Sequence, residues 1–134
     1  MNRTFLIIST LFLLVFTNSC RQSQKNGSVA GKIILLAPSD FNEQSEKELI
    51  LDVRSPEEFA EGHLEGAINQ NIKADNFSDN INKYDRNKPV FVYCRAGVRS
   101  NRAAEKLSEL GFKKIYDLEG GILNWIENDY NIAK

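Results

Sequence analysis

A chain of 134 residues with 42% hydrophobic and 26% charged side chains, and a formal net charge of -1, has room for one globular domain and little else. That charge shows none of the clustered basic excess of a nucleic-acid binder. A single histidine excludes a multi-histidine metal site, and two cysteines are too few for a disulfide framework.

Asn2 and Arg3 precede an uncharged, mostly apolar run from Phe5 to Phe16, which ends in Thr17-Asn18-Ser19-Cys20. A short positive start, an apolar core and a small-residue end are the parts of a secretory signal, here residues 1–19. The run falls short of the roughly 20 residues that a membrane-spanning helix needs, and a buried helix of the domain would show polar positions on one face. A cysteine directly after the small residue resembles the lipobox of bacterial lipoproteins. That resemblance implies that Cys20 is acylated and becomes the mature N-terminus, holding the protein outside the cytoplasm, on the periplasmic side of a bacterial membrane. Thr17 stands where that family has leucine, so ordinary signal cleavage and an uncleaved anchor are the other readings. Cleavage before Cys20 removes one charged residue, Arg3, and takes the net charge from -1 to -2. The polar, glycine-containing stretch that follows reads as a tether, so residues 20–31 are expected to link the lipid to a domain over 32–134.

Lys32 to Leu36 reads as a first strand, with Ser39 as a candidate cap for the next helix. Leu49 to Val53 is a second apolar run of buried-strand type. Ser55-Pro56-Glu57-Glu58 then combines a cap, a proline suited to the first helical position and a glutamate where a capping box needs one. The helix is short, because Gly62 follows Glu61. Ala67-Ile68-Asn69 gives a weak third strand, and Asp75 to Tyr84 a helix with Phe77, Ile81 and Tyr84 on one face. Val90 to Tyr93 is the clearest strand. From Ser100 to Leu110 the pattern is helical, with Ala103, Ala104, Leu107 and Leu110 on the apolar side and Gly111 as the stop. Lys114 to Leu118 closes the strands and Ile122 to Asn128 is the last helix. Strands alternating with helices predict an α/β domain, a mostly parallel sheet of about five strands covered on both faces. Trp125, Phe59 and Phe91 read as core.

The chemistry lies between Val90 and Arg102. A buried strand ends at Cys94, a helix starts near Ser100, and the loop between them holds Gly97, Arg95 and Arg99. Ligands of open parallel sheets bind at the carboxyl ends of the strands. The N-terminus of the following helix offers unpaired N–H groups and partial positive charge. Gly97 lets the loop curl so that successive N–H groups point inward. Two arginines add full charge, and all of these favour thiolate over thiol. A lone cysteine at a strand end is usually inert packing; two arginines and a glycine within five residues, ahead of a helix, argue for a nucleophile.

The loop CRAGVRS, Cys94 to Ser100, is similar to that of single-domain rhodaneses, and so is LDVRSPEEFAEGHLEGAIN from Leu51 to Asn69. Asp117-Leu118-Glu119-Gly120-Gly121 with Trp125 is a third match, and together these cover the chain from about Lys32 onward. The resemblance implies a rhodanese-like fold in which Cys94 becomes a persulfide. It implies that the backbone over Arg95, Ala96, Gly97, Val98 and Arg99 cradles the sulfur, and that Arg95 and Arg99 bind a small anionic donor such as thiosulfate. Asp52 and Arg54 match the family's Asp-Val-Arg signature. Asp52 has two readings: a bond to an arginine or N–H of the active loop, or a purely structural salt bridge. Ser100 completes the loop as a supporting residue. His63 follows the short helix and is assigned packing or capping rather than base chemistry, since nothing places it beside Cys94.

The expected reaction is a two-step transfer. Cys94 thiolate takes the outer sulfur of thiosulfate, and a thiol or cyanide then accepts it. No metal or organic cofactor is implied, and no nucleic acid. A cysteine phosphatase or arsenate reductase needs an arginine six positions after the cysteine, where this chain has Ser100. A persulfide carrier would use the same loop, and a non-catalytic binding module would usually lack the cysteine.

Overall fold

The computed structural model describes residues 30–134, so the signal segment, Cys20 and most of the tether lie outside the described residues. Ten elements follow in strict alternation: β1 (Lys32–Leu36), α1 (Pro38–Gln44), β2 (Leu49–Asp52), α2 (Pro56–Glu61), β3 (Ile68–Asn69), α3 (Phe77–Ile81), β4 (Val90–Tyr93), α4 (Val98–Glu109), β5 (Lys114–Leu118) and α5 (Gly121–Glu127). The five strands form one parallel sheet in the order β1-β5-β4-β2-β3. The α/β architecture with helices on both faces is as the alternation predicts.

Strand residues alternate between two cores because successive side chains point to opposite faces. Leu51, Val90, Val92 and Ile115 pack under α3 and α4 with Phe77, Ile81, Ala103, Ala104 and Leu107. Ile50, Phe91, Tyr93 and Leu118 pack on the other face with Phe41, Ile122 and Trp125. Aromatic edges organise that second core, with Phe41 edge-on to Phe91 at 5.2 Å and to Trp125 at 6.2 Å. β4 is buried along its whole length, as a central parallel strand must be.

Local signals are met unevenly. The capping box of α2 is complete: the Ser55 hydroxyl accepts from the Glu58 N–H and the Glu58 carboxylate accepts from the Ser55 N–H. Ser39 does not cap α1. The cap is Ala37, because Pro38 takes the first helical position and needs no N–H partner. The helix expected over Asp75 to Tyr84 shortens to Phe77–Ile81, with Tyr84 packing at the core's edge from beyond the helix. α4 begins two residues before Ser100, at Val98, behind Gly97 as its cap. Phe59 is half-buried rather than core, its ring stacked on His63 at 3.8 Å.

Candidate active site

Cys94 follows β4 directly, at the carboxyl edge of the sheet, and is 1% exposed. Three residues later Gly97 turns the chain into α4 with φ 105°, a left-handed conformation that suits glycine. That turn aims the Gly97 N–H at Cys94 Sγ, 3.1 Å away. The Ser100 hydroxyl lies 3.5 Å from the same sulfur and donates to the Gly97 carbonyl oxygen at 3.1 Å. The sulfur therefore sits at the start of a helix of twelve residues, with one backbone donor and one hydroxyl on it.

The back of the loop is held by α5. The N–H groups of Ile122 and Leu123 donate to the carbonyl oxygens of Cys94 (2.9 Å) and Arg95 (3.2 Å). Gly121 permits this approach: a Cβ there would lie 2.5 Å from both of those oxygens. With its carbonyls tied to α5, the loop turns the Gly97 N–H toward the sulfur.

The arginines differ in what holds them. Arg95 is exposed and forms no salt bridge among the described residues. Arg99 forms a two-pronged ion pair with Glu58 of α2, at 2.6 and 2.8 Å. The Arg99 guanidinium holds the Glu58 carboxyl down at about 2, and Glu58 in turn raises Arg99 above its ordinary value. Glu58 was legible only as a capping residue; its second role joins α2 to the active loop. Ala96 and Val98 are on the rim, and Ser100 is fully buried beneath it. The position six after the cysteine therefore holds a buried hydroxyl and not a phosphate-binding arginine.

Asp52 and Arg54 pair with each other and not with the loop. Arg54 donates its backbone N–H and its Nε to Asp52 Oδ1, at 2.9 and 3.0 Å. Its Nη2 donates to Asp52 Oδ2 at 2.6 Å and to the Gly62 carbonyl oxygen at 2.7 Å. Of the two readings of Asp52, the bond to the active loop is not made. The pair is a buried brace fixing the β2–α2 corner and the end of α2. His63 makes a packing contact, as expected: its Nδ1 lies 3.0 Å from the Phe59 carbonyl oxygen and its backbone pairs with Ala133.

A shallow depression of about 140 Å³ opens in front of this arrangement, lined by Arg54, Glu58, Arg95, Ile122, Leu123 and Ile126. Larger depressions lie elsewhere, such as one of about 320 Å³ around Lys47, Tyr84 and Pro89 at the opposite end of the sheet. The smaller depression is the one whose lining joins Arg95 of the Cys94 loop to Ile122 and Leu123, whose N–H groups hold that loop.

The family model described as "Rhodanese-like domain" matches residues 37–128. The chain belongs to the rhodanese-like domain family. The rhodanese-like domain is 38% identical over 78 residues to the thiosulfate sulfurtransferase GlpE of Shewanella oneidensis, spanning 58% of this chain and 75% of that protein. It is also 36% identical over 81 residues to the tRNA uridine(34) hydroxylase of Pelagibacter ubique, spanning 60% of this chain but only 27% of the hydroxylase. Among solved structures, a rhodanese-related protein from Thermoplasma volcanium superimposes with a TM-score of 0.67 at 35% identity, covering 75% of this chain and 97% of that one.

Proposed function

We propose that this rhodanese-like domain is a sulfurtransferase that carries sulfane sulfur on Cys94, from thiosulfate or a similar anionic donor to a thiol acceptor. The observation that carries the reading is the Gly97 N–H on Cys94 Sγ at the N-terminus of α4. That arrangement stabilises negative charge on sulfur whether it sits on the thiolate or on the outer sulfur of a persulfide. The likeness to a thiosulfate sulfurtransferase spanning three-quarters of that protein supports the same chemistry. Hydroxylation is a property of proteins of which this chain spans about a quarter, and it gives no reason to assign that activity here.

In the first step the Cys94 thiolate attacks the outer sulfur of thiosulfate. A Cys94 S–S bond forms, the donor's S–S bond breaks, and sulfite leaves with the electron pair. In the second step a thiolate or cyanide attacks the outer sulfur and the Cys94 thiolate is released. The Gly97 N–H and the helix start hold the charge in both steps, and Arg95 at the mouth attracts the anionic donor. A persulfide carrier shares the first step and differs only in handing sulfur to a dedicated partner.

The reading includes delivery outside the cytoplasm with Cys20 as the lipid attachment, supported by the charged start, the apolar run and the cysteine after Ser19. Palmitate label that is lost in Cys20→Ala supports that attachment; label that persists sinks it. The sulfur chemistry is tested by intact mass after incubating the full chain with thiosulfate. A gain of about 32 Da, absent in Cys94→Ser and reversed by cyanide, is the expected persulfide. No gain with Cys94 reduced and the domain folded removes thiosulfate as donor.

A further inference from the structure

The sulfur-transfer cycle needs a thiolate, and the structure holds a buried group suited to take the thiol's proton. Asp117 lies near the end of β5, in register with Val92 of β4 and Leu35 of β1, so its neighbours along the sheet are aliphatic. It is 2% exposed, and its Oδ1 is the one buried side-chain polar atom without a hydrogen-bond partner among the described residues. Such an atom is costly and calls for a reason. Burial pushes the carboxyl up to about 6, and the groups acting against burial are the Ser100 hydroxyl and the Leu118 N–H. Ser100 is the same residue whose hydroxyl lies 3.5 Å from Cys94 Sγ. Cys94 Sγ and Ser100 Oγ are thus in contact, and Asp117 lies two residues after Ile115 on the sheet face that α4, the helix carrying Ser100, covers.

We propose that Asp117 is a positioning residue that accepts, through the Ser100 hydroxyl, the proton that Cys94 loses before attacking its donor. Ser100 Oγ turns its hydrogen from the Gly97 carbonyl oxygen to a carboxylate oxygen of Asp117, a rotation open to any hydroxyl. The Sγ proton then passes to Ser100 Oγ as the Ser100 proton passes to Asp117. One S–H and one O–H bond break and two O–H bonds form. Nothing is oxidised, and the single negative charge moves from carboxylate to sulfur. Afterwards Asp117 is neutral and Ser100 donates to the thiolate, joining the Gly97 N–H. A carboxyl that binds its proton near neutral pH is matched to this exchange, whereas an ordinary carboxylate would hold it too weakly.

The other charged groups around the loop do not supply this proton step. Arg99 of α4 and Arg54 beyond β2 stay charged, Glu58 of α2 is held at about 2 by Arg99, and Asp52 is tied to Arg54. α5 brings no acidic side chain in its first turn, and the Arg95 guanidinium offers donors but no acceptor. His63, whose side-chain type titrates in the relevant range, is stacked on Phe59 and serves as a control.

The inference rests on Cys94 being the nucleophile but not on the donor's identity. The test is the thiolate ultraviolet absorbance of Cys94, taken on the full chain as the difference from its Cys94→Ser counterpart, from about pH 4 to about pH 10. A cysteine and a carboxyl sharing one proton titrate as a pair, so the thiolate signal is expected to rise in two steps. Asp117→Asn and Ser100→Ala should each give a single step, and His63→Gln should keep two. A wild-type curve with one step overturns the proposal, as does an Asp117→Asn curve that superimposes on it. Two steps retained in Ser100→Ala overturn the relay, leaving only a direct charge effect. Two steps lost in His63→Gln assign the first step to the imidazole and also overturn it. If Asp117→Asn does not fold, Ser100→Ala decides alone. The titration uses no sulfur donor, so a failed thiosulfate assay beside a two-step curve counts against the donor and not against Asp117.

Discussion

Arg99 and Glu58, 41 residues apart in the chain, close a two-pronged ion pair across the mouth of the Cys94 loop. Each side chain is about a quarter exposed, so the pair is screened and its contribution to stability is modest. Its consequence for function is larger. Arg99 is held in one geometry beside the loop, and its charge is largely offset before any anionic donor arrives.

Glu58→Gln should therefore strengthen use of thiosulfate. Glutamine keeps the capping box of α2, so the substitution removes charge while preserving the helix start. The expected result is a several-fold lower KM for thiosulfate with a stability loss under about 1 kcal/mol. The pH behaviour has a definite sign. The folded carboxyl lies at about 2 against an ordinary 4.5, so the pair's stabilisation is present above 4.5 and is lost as pH falls toward 2. Denaturant unfolding of the two proteins should converge in that acid window. An unchanged KM would mean that the donor does not approach Arg99.

Arg99→Ala separates binding from bracing. As a donor-binding cation, Arg99 should take about ten- to a hundredfold of kcat/KM for thiosulfate with it, a loss of about 1.4–2.7 kcal/mol in transition-state stabilisation. The cost in folding should stay near 1 kcal/mol, because the partner left behind is partly solvated. A fall in Tm with kcat/KM unchanged would assign the residue to holding α2 against α4 alone.

Two glycines give a graded probe of the loop's backing. Gly121→Ala puts a Cβ 2.5 Å from the carbonyl oxygens of Cys94 and Arg95 at φ 62°, and those atoms are backbone with nowhere cheap to go. A loss of more than about 2 kcal/mol in stability is expected, together with slower persulfide formation, because the loop must shift. Gly97→Ala meets its nearest neighbour, the Gly120 nitrogen, only at 3.9 Å, so its cost is the left-handed backbone alone, about 1–2 kcal/mol. Thermal unfolding and a thiosulfate mass-shift time course rank the two; a milder Gly121→Ala would contradict the role of α5 as the loop's support.

The order of elements and the loop were legible because they are local. Val90 to Tyr93 is a continuous β-type run, Ser55-Pro56-Glu57-Glu58 is a helix start, and Cys94 to Ser100 announces a strand-loop-helix with charge. What the chain order does not encode is who faces whom. The sheet order β1-β5-β4-β2-β3 brings Asp117 of the last strand beside Val92 of the fourth, two residues before Cys94, and no periodicity contains that. Glu58 satisfied a local role so well that its reach to Arg99 left no sequence trace. Asp52 shows a choice that local sequence leaves open: a strand-end carboxylate fits either a bond to the active loop or a structural salt bridge, and Arg54 two residues away, geometrically matched, decides for the local pair. Ser39 failed as a cap for a similar reason, because Pro38 set the helix start first.

Asp117 also fixes how stability responds to pH. Its folded carboxyl lies at about 6 against an ordinary 3.8, so between those values the unfolded chain has released a proton that the fold still holds. The group's contribution is thus fully present below 3.8, falls as pH rises through 6, and levels off above it. Asparagine at this position carries no such charge. Asp117→Asn should match the wild type near the acid end and become more stable by about 1–3 kcal/mol above neutral pH, since a tenfold change in proton affinity on folding is worth about 1.4 kcal/mol. Urea unfolding across that range, with m-values held equal, measures it. A stability difference that does not change with pH would show that the buried carboxyl is not titrating there. A widening gap, with slower Cys94 chemistry in the more stable variant, would mean that the fold keeps a destabilising acid in its interior for the use its neighbours make of the proton.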